Sequence, residues 1–334
     1  MSGAVLKRAP AGVASRARPL APMLQRWGAL AALIVLIAFN VGVTRNFVSW
    51  QTLDVNLTQV CDIVIVGTGM TLVIATGGID LSVGALMAIS GALAPLIFGG
   101  HLAPMPFPLL GTVLAWVLPV LVAGAFGLFN GWLITRFRVQ PIIATLVLFI
   151  AGRGIAQVMT NGNLQAFHRP DFQYIGLGRP LGVPFQVIIM ALIVVAAAWV
   201  LRATLFGRQV LAVGGNEQAS RLSGVPVRWV KLVVYTVSGL LAGVAGLIVI
   251  SINSSSDANL VGLGMELDAI AAVAVGGTPF TGGRASVLGT LLGALIIQLV
   301  RYTLLANGVP DGAALVVKAA IILGAVYLQR QHRS

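Results

Sequence analysis

The chain alternates long apolar stretches with short polar gaps, and most of these stretches are long enough to cross a membrane. A helix needs about 20 apolar residues to span roughly 30 Å of hydrocarbon. The candidate spans are residues 27–44, 57–76, 81–98, 109–134, 141–160, 184–203, 229–252, 266–280, 285–306 and 312–329. The pattern therefore predicts an all-α polytopic membrane protein with about ten transmembrane helices. Composition agrees, since 58% of the residues are apolar and only 9% are charged.

The basic residues predict which side of the membrane each gap faces. Most of the 21 Lys and Arg residues fall in the N-terminal tail, the C-terminal end and every second gap. Because basic residues stay on the cytoplasmic side during insertion, both termini are predicted to be cytoplasmic. Residues 1–25 are predicted to form a basic, disordered cytoplasmic tail, and residues 26–334 the transmembrane domain. The alternate gaps contain only Arg45, Arg169, Arg179 and Arg301.

The net charge of +12 is explained by this retention pattern, together with attraction to anionic membrane lipid. It therefore does not indicate a nucleic-acid partner. The sequence also has no combination of residues typical of an enzyme. The loop Gly277–Arg284 is rich in glycine but lacks the Lys-Ser/Thr pair of a phosphate-binding loop. No metal site, bound cofactor or ATP hydrolysis is predicted for the chain itself.

Polar residues within the spans are candidates for function because they are costly in hydrocarbon. Three ionisable residues stand out: Asp62, Arg153 and Lys318. One interpretation is a structural ion pair between Asp62 and Lys318, which lie at matching depth. The other is a polar pathway for a hydroxylated solute. That pathway would be lined by Asp62, Thr68, Thr71, Asn130, Thr145, Arg153, Gln157, Gln298 and Lys318.

Two segments five spans apart resemble each other. Residues 80–91 align with residues 266–277 through an acid, a Leu, two Ala and a final Gly. An odd offset in spans would make the two five-helix halves inverted repeats, which is a common transporter plan. Asp80 also has a local role, because an acid at a helix start caps free amides.

The longest basic gap contains signals for a short polar helix at about residues 214–224. Asn216 suits the N-cap, Glu217 and Gln218 suit the first turn, and Gly224 suits the C-terminal cap. Such a short helix is unstable alone. It packs either on the chain's own cytoplasmic face or on a separate cytoplasmic partner.

Three motifs resemble one protein family. Residues 69–84 (GMTLVIATGGIDLSVG), residues 266–284 and the loop around Asn216 are similar to bacterial ABC sugar-importer permeases of the ribose/xylose/galactofuranose type. Residues 144–154 and Asp257–Asn259 look most like the galactofuranose subgroup. Asp62 departs from the apolar residue that is usual there.

The resemblance implies a subunit of an ATP-driven monosaccharide importer in the bacterial inner membrane. Its partners would be a cytoplasmic ATPase that binds ATP, a periplasmic sugar-binding protein, and a second or related permease. The short helix would couple to the ATPase through Asn216, Glu217, Gln218 and Arg221. The outward-facing Arg45, Arg169, Arg179 and Arg301 would either contact the binding protein or cap helix ends.

Two alternatives stay open. One is a secondary sugar transporter driven by an ion gradient, with Asp62 as the proton or cation site. The other is an ABC permease that carries a nucleoside or an amino acid.

Overall fold

The computed structural model describes residues 20–100 and 107–310, together with 312–313, 315–317 and 319–320. The described chain is almost entirely helical. The helices are α1 Leu20–Val43, α2 Trp50–Ala75, α3 Val83–Phe98, α4 Pro108–Phe137, α5 Pro141–Thr160, α6 Pro170–Leu177, α7 Phe185–Ala203, α8 Leu205–Gly215, α9 Glu217–Leu222, α10 Val227–Asn253, α11 Met265–Val275 and α12 Val287–Ala306, with a one-turn 3-10 helix at Pro180–Gly182. The only strands among these residues are the antiparallel pair β1 Gln165–Ala166 and β2 Ser255–Ser256.

Helices α2 and α10 form the centre of the bundle. In their most apolar windows, 78% of α2 and 61% of α10 is buried, against 22% of α7. Glycines allow α4 and α10 to pack closely: an added Cβ at Gly127 would lie 2.3 Å from the carbonyl oxygen of Tyr235. The outer helices α4, α5 and α7 expose large apolar side chains, as expected where a helix faces lipid. The protein is an all-α polytopic membrane protein.

The number of full-length spans is lower than the sequence predicts. Among the described residues, six helices are long and apolar enough to cross a membrane. Helix α3 has only 16 residues, and the predicted span 266–280 forms a helix only to Val275. Gly276 and Gly277 end that helix, and Pro279 lies in the loop that follows. Most of the predicted span 312–329 lies outside the described residues, as do residues 1–19; α1 begins at Leu20, within the predicted tail.

The bundle has two ends, which we name by their helices. The α9 end carries α8, α9 and the start of α10, where Lys231 binds Glu217. The opposite end carries α6 and the strand pair, which follows the end of α10. Helix α3 ends at the opposite end, where Phe98 packs against Phe172. The C-terminus of α2 lies at the α9 end, because Ala75 contacts Gly214 of α8. Helix α11 leads to the same end, because the loop after it also contacts Ala75. Helices α3 and α11 therefore run toward opposite ends of the bundle.

Candidate functional site

The starts of α3 and α11 meet inside the bundle. A Cβ added to Gly84 would lie 2.2 Å from the carbonyl oxygen of Gly262 and 2.6 Å from Oε2 of Glu266. In the reverse direction, a Cβ on Gly262 would lie 2.4 Å from the carbonyl oxygen of Gly84. Gly262 has φ +69°, a conformation that favours glycine. Only residues without a side chain allow the two helix starts to approach this closely.

Arg153 of α5 joins these two starts. Its Nη1 donates to the carbonyl oxygens of Ala258 at 2.9 Å and Val261 at 2.6 Å, in the segment that leads into α11. Its Nη2 donates to the carbonyl oxygen of Gly84 at 3.5 Å, in the first turn of α3. The guanidinium therefore bridges two chain segments that are far apart in sequence. We call this bridge between the starts of α3 and α11 the Arg153 clip.

A partly exposed polar strip continues from the clip toward the opposite end. One turn beyond Arg153, Gln157 donates from Nε2 to Oδ1 of Asn259 at 2.8 Å. The amide of Asn259 in turn donates to Oδ1 of Asp257 at 2.9 Å. Asp257 and Glu266 both interact electrostatically with Arg153. The strip offers a carboxylate and amides, which are groups that hydrogen-bond to hydroxylated molecules.

A second polar cluster surrounds the fully buried Asp80. Its Oδ1 accepts hydrogen bonds from the backbone N–H of Ser82 at 3.0 Å and the Ser82 hydroxyl at 2.6 Å. Its Oδ2 accepts from the Ser238 hydroxyl of α10 at 2.8 Å. Asn130 of α4 donates to the Ser82 hydroxyl at 3.0 Å. Asp80 therefore bonds to Ser82, the residue before the first helical one, and not to an amide inside α3. The cluster ties the start of α3 to α4 and α10.

The other predicted pathway residues do not form a single line. Thr68 donates to the carbonyl oxygen of Val64 within its own helix. Thr71 bonds to the hydroxyl of Thr290 at 2.7 Å, which joins α2 to α12. Thr145 donates to the carbonyl oxygen of Pro141 in its own helix and to that of Ile79 before α3. Gln298 donates to Oε1 of Gln59, which also joins α12 to α2. Of the predicted residues that the structure describes, only Arg153 and Gln157 lie together on the polar strip.

The predicted Asp62–Lys318 pair stays a prediction, because Lys318 lies outside the described residues. Oδ1 of Asp62 accepts a hydrogen bond from the N–H of Ile63 at 2.8 Å. The carboxylate also interacts electrostatically with Asp268 of α11 and Arg301 of α12. Asp62 therefore interacts with groups on α11 and α12, and it is not part of the hydrogen bonds of the polar strip.

The predicted polar helix is present as α9. Oδ1 of Asn216 accepts from the backbone N–H of Ala219 at 2.9 Å, which is an N-cap. Glu217 binds Arg221 at 2.9 Å and Lys231 at 2.6 Å. Burial alone would raise the pKa of the Glu217 carboxyl. The opposite effect of Lys231 and Arg221 is larger, so the pKa lies below its usual value. At neutral pH the Glu217–Lys231 pair therefore holds α9 against α10, and the Glu217–Arg221 pair stabilises α9 itself. Both pairs weaken as the pH falls into the acidic range.

The outer face of α9 is free of the bundle. Gln218 is exposed, and Leu222 is 84% exposed. These two residues are four apart and share one face of the helix. An exposed leucine beside a polar residue on a rigid, capped helix is suited to docking a partner.

The end of α8, just before α9, contacts the bundle through the backbone of a glycine. A Cβ added to Gly214, at the end of α8, would lie 1.8 Å from the carbonyl oxygen of Ala75 at the end of α2. The N–H of Gly283, in the loop after α11, donates to the same carbonyl at 3.0 Å. Movement of α9 would therefore reach α2 and the loop after α11 with no flexible side chain in between.

This contact gives a first prediction. Gly214→Ala should push α8 and α9 away from Ala75, because the added methyl has no room there. We expect the rate of solute uptake to fall at least about tenfold. The amount of protein inserted in the membrane, as judged by immunoblot, should stay near wild type. The matched control is Gly215→Ala, since a Cβ there meets nothing within 4 Å. Equal behaviour of the two variants would contradict the proposed contact.

Four basic residues were predicted to face outward. Arg169 binds Asp171 at 2.9 Å, and Arg179 binds Asp54 at 3.3 Å. The hydrogen bond from Arg169 keeps the pKa of Asp171 well below its usual range. Arg45 is exposed between α1 and α2. Arg301 lies within α12, in agreement with the predicted span 285–306 and not with its assignment to an outward gap. Contact of these residues with a binding protein stays a prediction.

Several residues of the site were not predicted as site residues. The acceptors of Arg153 are backbone carbonyls, which no sequence motif identifies. Ser238 lies 158 positions from Asp80 in an apolar helix. The available signal was the pair Gly262 and Gly264 directly before Glu266, which indicates a sharp turn in front of a helix that begins with an acid.

Comparison with known proteins supports a shared architecture along most of the chain. A family model described as "Branched-chain amino acid transport system / permease component" matches residues 52–326. The chain belongs to this family of permease components.

Similar family members include the ribose import permease protein RbsC of Escherichia coli K12, which is 42% identical over 306 residues, or 90% of this chain and 92% of that protein. The galactofuranose transporter permease protein YtfT of the same strain is 40% identical over 281 residues, with 82% and 78% coverage. The fructose import permease protein FruF of Bifidobacterium longum is 35% identical over 263 residues, with 77% and 71% coverage. No solved structure matches the chain significantly.

Proposed function

We propose that this chain is the transmembrane permease subunit of an ATP-driven ABC importer that carries a monosaccharide into the cytoplasm. The observation that carries the proposal is the similarity to sugar permeases along most of the chain. The relatives named above are permeases for ribose, galactofuranose and fructose. The resemblance read from residues 69–84 and 266–284 leads to the same class of protein.

The polar strip supports a sugar as the solute class. Asp257, Asn259 and Gln157 present a carboxylate and two amides on a partly exposed surface beside the starts of α3 and α11. Sugar hydroxyls both donate and accept hydrogen bonds, so this mixture of groups suits them. Half-helices that meet within a bundle are common at transporter binding sites. We therefore place the solute path along this strip.

The proposal includes three partners. A cytoplasmic ATPase binds and hydrolyses ATP and docks on α9, since the chain belongs to a family of permease components. A periplasmic binding protein delivers the sugar, with Arg45, Arg169, Arg179 and Arg301 at the face that receives it. A second permease, identical or related, completes the path.

The proposed location is the bacterial inner membrane, with the α9 end and both termini in the cytoplasm. Arg138, Arg221, Arg228 and Lys231 lie at that end, in agreement with cytoplasmic retention of basic residues. The inverted arrangement of the two halves is part of the same proposal. It is supported by the opposite directions of α3 and α11.

Gln157→Leu tests the proposed path. It should lower the rate of sugar uptake at saturating binding protein roughly fivefold, since one hydrogen bond contributes about 1 kcal/mol. Basal ATPase activity should not change. The control is Gln51→Leu, an exposed glutamine at the start of α2. Uptake assays should include pentoses, hexoses, a nucleoside and an amino acid. If Gln157→Leu and Gln51→Leu transport equally, the path does not follow the strip. Selective uptake of a nucleoside or amino acid would overturn the sugar assignment.

A further inference from the structure

A cavity of about 390 Å³ lies at the α9 end, apart from the polar strip. Its walls come from the end of α4, the turn into α5, helix α9 and the start of α10. The lining residues are Ile134, Thr135, Arg138, Val139, Gln140, Pro141, Glu217, Arg221, Val227, Arg228 and Lys231. We call this cavity the basic pocket.

The basic pocket has an excess of positive charge. Glu217 is the only acidic residue among its lining residues, and it is already bound to Arg221 and Lys231. Arg138 and Arg228 are exposed and make no hydrogen bond or ion pair with any residue that the structure describes. Two guanidinium groups are therefore available to an anion in a concave site. Guanidinium groups bind phosphate through two parallel hydrogen bonds.

The surroundings place the basic pocket at the level of the membrane interface. Trp132 and Phe137, in the last turns of α4, are 44% and 57% exposed, and Trp229, beside Arg228, is 53% exposed. Tryptophan is enriched where the hydrocarbon meets the headgroups. Next to the pocket, the first turn of α5 exposes Ile142 and Ile143. An acyl chain could lie along this apolar surface while its headgroup occupies the pocket.

We propose that the basic pocket binds the phosphate headgroup of an anionic phospholipid of the phosphatidylglycerol class. Arg138 and Arg228 hold the phosphate, and Lys231 and Arg221 add positive potential behind it. Basic pockets between helices on the cytoplasmic side are known to suit anionic headgroups. Because α9 forms one wall, the lipid contacts the same helix whose outer face is free for a partner. The inference requires only that the protein lies in a membrane, and so is independent of the solute.

The test measures lipid binding to the purified full chain by native mass spectrometry, with phosphatidylglycerol and phosphatidylcholine added at equal concentration. Arg138→Gln combined with Arg228→Gln should weaken phosphatidylglycerol binding about thirtyfold, because each basic residue near an anionic lipid contributes roughly fivefold. Phosphatidylcholine binding should not change. The pair Arg138→Lys and Arg228→Lys should give an intermediate loss, since charge remains but the planar fork does not.

The control pair is Arg202→Gln with Arg208→Gln, which removes the same charge from exposed positions that do not line the pocket. It should retain phosphatidylglycerol binding. An equal loss in both pairs would show general surface attraction and would overturn the proposed site. Unchanged binding in the first pair would also overturn it. Displacement of the lipid by millimolar inorganic phosphate would assign the pocket to a free anion instead.

Discussion

Replacing Arg153 with methionine is expected to reduce sugar uptake at least tenfold without removing the protein from the membrane. The substitution removes the guanidinium donor from the carbonyl oxygens of Gly84, Ala258 and Val261. Hydrogen bonds from a charged group contribute about 1.5–3 kcal/mol each. We expect the starts of α3 and α11 to separate, because the remaining contact there depends on two glycines. Uptake into proteoliposomes, normalised to inserted protein, measures the effect.

Two further variants define the cause of that loss. Arg153→Lys should retain part of the activity, since a single ammonium can reach some of the carbonyls but cannot bridge all three in the same geometry. Arg202→Met, at an exposed arginine in the last turn of α7, controls for the loss of a positive charge. Wild-type uptake by Arg153→Met would show that the clip is not needed for transport.

The second large effect is expected at Leu222, on the outer face of α9. Leu222→Asp should abolish the coupling of ATP hydrolysis to uptake, because it places a charge in the proposed interface with the ATPase. Central apolar residues of an interface often contribute 2 kcal/mol or more, which is about thirtyfold in affinity. The isolated chain should remain stable, since this side chain is 84% exposed. The measurements are co-purification of the ATPase and ATPase stimulation by loaded binding protein.

Leu181→Asp is the matched control for Leu222→Asp. Leu181 is a fully exposed leucine at the opposite end, in the one-turn helix Pro180–Gly182. It should leave ATPase association unchanged. Normal coupling in Leu222→Asp would contradict docking on this face of α9, and so would equal losses in both variants.

Local features of the fold could be predicted from the sequence. The α9 helix was predicted because Asn216 and Gly224 are capping signals read within a few residues of each other. Most long spans were predicted because hydropathy over about 20 residues is also a local property. The short length of α11 was not predicted, since the predicted span ran to Phe280 and only the glycines at 276 and 277 mark the earlier end of the helix.

The candidate site was harder to predict because its contacts join distant segments. Arg153 was identified as costly in a membrane, but its acceptors lie 105 and 108 positions away on the backbone. Asn130 was predicted to line a pathway, yet it hydrogen-bonds within the buried Asp80 cluster. The free-energy cost of placing a polar residue in hydrocarbon is thus enough to make it a candidate for function. Whether it faces a solute or another helix depends on tertiary packing.

We propose that ATP hydrolysis on a partner subunit drives sugar import through this chain. The most direct measurement is sugar uptake into proteoliposomes that contain the permease with its co-purifying ATPase and binding protein. We predict that uptake requires internal ATP and persists when an ionophore collapses the ion gradients. Uptake that continues after ATP depletion and stops when the ion gradient is removed would contradict the account and favour a secondary transporter.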